Sequence, residues 1–89
     1  MARLDYGIAE LTETPSPAGG ADALFELGLL YSAGREVETD LVAAHKWFNL
    51  AALRGNEDAK TYRMEVAREL SREEIAQAQR MAREWLRAN

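Results

Sequence analysis

From Ala21 onward the apolar residues recur at helical rather than strand spacing. Leu24, Leu27, Leu30 and Tyr31 lie three or four residues apart over Ala21–Ala33 and share one side of a first helix. Gly34 follows and ends it, because glycine takes the left-handed turn after a helix without a Cβ clash. Thr39 or Asp40 starts a second helix by offering a side-chain oxygen to the free N–H groups. Ala44, Trp47, Phe48, Ala51 and Ala52 then follow at i, i+3, i+4, i+7 and i+8, and Gly55 closes the pattern. Asn56 is an N-cap for a third helix, with Glu57 and Asp58 in the first turn to complement the dipole. Its pattern predicts helix to about Leu70. Ser71-Arg72-Glu73-Glu74 has the spacing of a capping box and opens a fourth helix. There Ile75, Ala78, Ala82 and Leu86 lie on one side, with Met81 and Trp85 beside them. Arg83 and Arg87 occupy the last turns, where cations suit the helix end. None of these helices can hide its apolar stripe alone, so the expected fold is all-α, with two antiparallel hairpins built from about four helices.

Residues 1–20 read differently. Leu4, Tyr6 and Ile8 alternate in a weak strand-like period, and Thr14 to Gly20 holds two prolines and two glycines, the composition of a linker or turn. This stretch is either a loose tail or a segment that docks its apolar side chains on the domain or on a partner.

The stretch from Ala21 to Ala59 is more specific than helix, turn, helix. It contains Ala21-x-Ala23, Leu27-Gly28, Tyr31, Gly34, Val37, Asp40, Ala44, Trp47, Ala51-Ala52, Gly55 and Ala59, and Ala59 follows Ala23 at an interval of 36 residues. This pattern resembles the Sel-one-like repeat, a relative of the tetratricopeptide repeat, with the repeat length such proteins use. Gly28 then lets the second helix approach closely, Ala44, Ala51 and Ala52 do the same from the other side, and Tyr31 and Trp47 fill the remaining volume. Two positions depart from the family: Glu36 stands for a second turn glycine and Ala43 for a common lysine. The next copy is degenerate, with Arg63 and Met64 in the places of Leu27 and Gly28.

The resemblance implies an α-solenoid with a repeat hairpin at 21–55 and a degenerate half repeat with a capping helix at 56–89. It also implies an adaptor or scaffold that binds another protein. In such hairpins one side of the first helix lines the concave ligand-holding surface. Asp22, Phe25, Leu29 and Ser32 fall on that side, with Phe25 and Leu29 as paired apolar residues outside the hairpin's own packing. Ile75, Met81 and Trp85 are expected to pack on the preceding helix rather than to form an exposed ridge.

Composition narrows the function classes. With 89 residues the chain is one domain at most, with a thin core. A net charge of −4 and a pI of about 5.0 argue against nucleic acid as a partner. The negative charge sits early: residues 1–55 carry four basic and eight acidic groups, whereas 56–89 carry seven of each. No apolar run reaches membrane-span length, and Asp5 and Glu10 interrupt any secretory-signal pattern, so a cytoplasmic setting is expected. There is no cysteine and one histidine, His45, expected on the solvent side of the second helix. The carboxylate pairs Glu36/Glu38, Glu57/Asp58 and Glu73/Glu74 sit in turns and first helical turns, where capping explains them, and Gly19-Gly20 lacks the lysine of a phosphate loop. No catalytic, metal or cofactor site is expected. The expected function is a protein-binding adaptor or accessory subunit, and the alternative is a unit that self-associates through its open repeat face.

Overall fold

A computed structural model of the chain describes residues 20–89 and contains four α-helices: α1 (Ala21–Ala33), α2 (Leu41–Leu53), α3 (Glu57–Ala67) and α4 (Arg72–Ala88). No strand occurs among the described residues, and no helix among them is long and apolar enough to cross a membrane. The expectations for residues 1–19 lie outside the described part of the chain.

Local chemistry sets the boundaries. Of the two candidate caps for α2, Asp40 does the work: its carboxylate accepts from the Ala43 N–H at 3.0 Å. Asn56 accepts from the Ala59 N–H at 2.8 Å. The capping box at α4 is complete, with Glu74 N–H donating to Ser71 Oγ at 3.1 Å and Ser71 N–H donating to Glu74 Oε1 at 2.8 Å. Caps of this kind contribute about 1 kcal/mol each. Gly34 adopts a φ of 69° after α1 and returns its N–H to the Leu30 carbonyl at 3.2 Å. A Cβ at Gly34 would also run into the Thr39 side chain, so the α1–α2 turn requires glycine twice over. The third helix stops at Ala67, short of the expected Leu70. Ser71 must be extended (φ −76°, ψ 168°) to cap α4, so the preceding residues unwind into a turn in which Glu69 and Leu70 donate to Val66 and Ala67.

The packing centres on α2, against which α1, α3 and α4 each make their main contacts. Accordingly α2 buries Ala43, Ala44, His45, Phe48, Leu50 and Ala51, on more than one side. The closest approach is between α1 and α2. Gly28 is buried, and a Cβ built there would overlap the Phe48 ring. Phe48 is itself fully buried, beside Leu24 of α1. The ring seated against Gly28 is therefore Phe48, while Tyr31 and Trp47 are only half-buried at the margin of the core.

The second pair of helices is not a copy of the first. Met64 stands 36 residues after Gly28, and counting from the caps Asp40 and Ser71, Gln79 stands where Phe48 does. Both Met64 and Gln79 are exposed. With no glycine and no ring to interlock, α3 and α4 pack mainly on α2 rather than on each other. This corrects the expectation that α4 covers α3: Ala78 and Ala82 are buried, and Trp85 lies edge-on to Trp47 of α2 with ring centroids 5.8 Å apart. A chain truncated after Leu70 is expected to lose helical signal or aggregate, because the uncovered surface belongs to the central helix. Circular dichroism and size-exclusion chromatography of fragment 1–70 check this; a soluble, equally helical monomer would show that α4 is dispensable.

Candidate functional site

Asp22, Phe25, Leu29 and Ser32 recur at i, i+3, i+7 and i+10 and share a stripe of α1. The fold divides them into two pairs. The first pair belongs to the junction with α3. Asp22 Oδ1 accepts from Asn56 Nδ2 at 3.0 Å, and the Phe25 ring stands edge-on to Tyr62 at 5.1 Å and tilted on Phe48 at 5.7 Å. Phe25 is thus part of the domain's own packing, contrary to the expectation that it lies outside it. The cause is α3, which brings Tyr62 over the start of α1.

The second pair borders a groove, and Leu29 is also partly buried against the core, contrary to the expectation that it lies outside the domain's own packing. Leu29 and Ser32 line an open cavity of about 710 Å³ beside the C-terminal half of α1, with Leu30, Ala33, Arg35 and Glu36. The lining comes from this helix and the turn that follows, so the cavity is a one-sided groove. Ser32 Oγ donates to the Leu29 carbonyl at 3.2 Å, which turns the hydroxyl back on the helix and leaves it able to accept from a visitor. Its apolar floor and charged ends, Glu26 and Glu36 with Arg35, suit a short amphipathic segment better than a small polar molecule.

Two further clusters lie on α2. His45 is buried, with 4 % of its surface exposed, which corrects the expectation of a solvated helix-surface residue. It shares a stripe with Asn49, and that stripe faces α3, where Arg63 Nη1 donates to Asn49 Oδ1 at 2.7 Å. His45 Nδ1 has no hydrogen-bond partner. Burial pushes the imidazole below its ordinary 6.5, and the Arg63 guanidinium adds to the push. The signal for this lay in Arg63 itself: between Ala59 and Val66 it falls on the core-facing stripe of its helix, so it needed a polar partner across the interface.

The other cluster is the Trp47–Trp85 contact. Arg54 approaches the Trp85 ring at 5.6 Å and Lys46 the Trp47 ring at 4.0 Å. Burial lowers the Lys46 ammonium pKa against the opposing effect of Glu84. Trp85 is therefore packed, as its spacing implies, though its partner is α2 and not the preceding helix.

Among the described residues no group of three or more histidine, aspartate or glutamate side chains is placed to hold a metal ion. Of the carboxylate pairs, Glu57 bridges to Lys60 at 3.4 Å and Glu74 completes its cap. No protein-family model matches the chain, and no curated protein or solved structure is close enough to count as a relative.

Because Phe25 contacts two other rings, Phe25→Ala is expected to lower stability by about 2 kcal/mol, below the range for a fully buried phenylalanine. Thermal melting checks it; an unchanged midpoint would mean that the ring cluster contributes nothing and that Phe25 is free for other contacts.

Proposed function

We propose that this chain is a small protein-binding module of Sel-one-like repeat type, an adaptor or accessory subunit that holds a segment of another protein along the C-terminal half of α1. The observation that carries this reading is the groove lined by Leu29, Leu30, Ser32 and Ala33, an apolar surface with charged ends that the domain's own helices leave open. The repeat reading rests on the sequence pattern, with which the Gly28–Phe48 contact and the burial of Ala44 and Ala51 are compatible. Binding rather than catalysis is the reading because the groove is lined largely by apolar side chains and the Ser32 hydroxyl donates to the Leu29 carbonyl. The proposed setting is the cytoplasm.

Self-association is the second reading, favoured by one observation. Leu53 and Met64 are 63 % and 58 % exposed, and Leu86 and Tyr62 also meet solvent, all of them away from the groove. Sedimentation of the purified chain separates the two, because a stable dimer or larger assembly supports this second reading.

The groove is tested by filling it. Ala33 is exposed and lines the cavity, so Ala33→Arg places a long cation there at little cost to the fold. Affinity capture from the source cell, read by mass spectrometry, is expected to recover a partner with the wild type and at least about tenfold less with Ala33→Arg, the loss that blocking an anchor pocket brings. Equal recovery by both proteins would move the binding surface off α1. Phe25 is unsuited to this test, since its loss weakens the fold as well.

A further inference from the structure

We propose that His45 is an acid-sensitive latch between α2 and α3: neutral, it lets α3 close over the central helix, and protonated, it drives α3 away. The geometry has three parts. His45 is almost fully buried on the stripe of α2 that α3 covers. Its Nδ1 has no partner, so a proton added there would find no acceptor in the closed interface. The charged group brought to this stripe is Arg63 of α3, already committed to Asn49, and it repels an imidazolium.

No carboxylate among the described residues offsets that repulsion: on α3 itself Glu57 pairs with Lys60 and Glu65 with Arg68. On the histidine's own helix, Asp40 is engaged in capping Ala43, while Lys46 lies over the Trp47 ring and is itself a cation. Asp22 of α1 accepts from Asn56, and Glu26 lines the groove on α1. Glu84 of α4 acts on Lys46. Charging His45 therefore adds a second cation beside Arg63 in a closed interface, and the separation of α3 relieves it. Water then reaches Nδ1, and the two charges part.

The direction follows from linkage. The imidazole holds its proton less well in the closed state than in the open one. Closure is therefore fully favoured above the ordinary value of 6.5 and weakens as pH falls from there toward the folded-state value. The Gly28–Phe48 contact holds no titrating group, so the expected response centres on α3 and reaches Phe48 only through the loss of Tyr62.

His45 is the only histidine, so its ring protons titrate without overlap in an NMR spectrum of the full chain. That titration is expected to fall below the ordinary histidine range. Hydrogen exchange, corrected for intrinsic rates, is expected to show amide protection over Glu57–Ala67 dropping by up to about tenfold per pH unit below 6.5, the slope of one proton taken up on opening. Protection in the α1–α2 hairpin should fall much less. His45→Gln, which cannot take the proton, should remove the excess pH dependence of α3. An imidazole that titrates at or above its ordinary value would overturn the latch. So would the same α3 pH profile in wild type and His45→Gln, or a loss of protection spread equally over all four helices. If the variant fails to fold, the wild-type titration still decides.

Discussion

The meeting of Gly28 with the Phe48 ring is the constraint around which the other helices are placed. A helix position without a side chain lets the facing backbone come close, and here the ring lies where a Cβ would otherwise be. That seats Phe48 fully inside, with Leu24 beside it. The same ring then reaches Phe25 at 5.7 Å and Tyr62 at 5.4 Å, so one side chain of α2 touches α1 and α3 together. In a core this small, a single buried ring that joins three helices carries a large share of the cooperativity, since interior packing leaves few alternative contacts.

The second pair of helices shows what happens without that interlock. Met64 and Gln79 replace the glycine and the ring, and each points to solvent. The second pair finds its core on α2 instead, α3 through Ala59 and Val66 and α4 through Ala78, Ala82 and the Trp85 edge. One cost of this arrangement is Arg63, which takes a core-facing position and draws Asn49 and His45 into a polar patch inside the α2–α3 interface. The α1–α2 hairpin is thus sealed by apolar contact, whereas α3 is held partly by polar groups whose balance depends on protonation. Charge on His45 acts on the second kind of contact and leaves the first alone.

Much of this was legible in the residues. Helix positions and caps followed from local rules, because Gly34, Asp40, Asn56 and Ser71 act on their own few neighbours. The glycine at the helix crossing was legible for the same reason: only a close approach explains glycine in the middle of an apolar helix. What the pattern did not reveal depended on which helix lies against which. Phe25 read as a surface anchor until Tyr62 came from α3 to meet it, and His45 read as solvated because its exposure was judged from α2 alone. The spacing of Trp85 implies a packed ring but not its neighbour, which is Trp47 of α2. Of the candidate surface, Leu29 and Ser32 line the open groove, while Asp22 and Phe25 face the α3 junction. Periodicity gives the buried face of a helix, but it does not choose the partner that buries it.

The most direct measurement is a double-mutant cycle across the central contact, with Gly28→Leu, Phe48→Ala and the pair, each followed by denaturant unfolding of the full chain. If the ring occupies the space over Gly28, the leucine overfills the wild-type core but finds room once the phenylalanine is gone. The two substitutions should then be strongly non-additive, with the pair less damaging than the sum of the singles by about 0.5–3 kcal/mol, the range for residues in direct contact. Additive effects would mean that Gly28 and Phe48 do not share that space, and the placement of α1 on α2 would have to be abandoned.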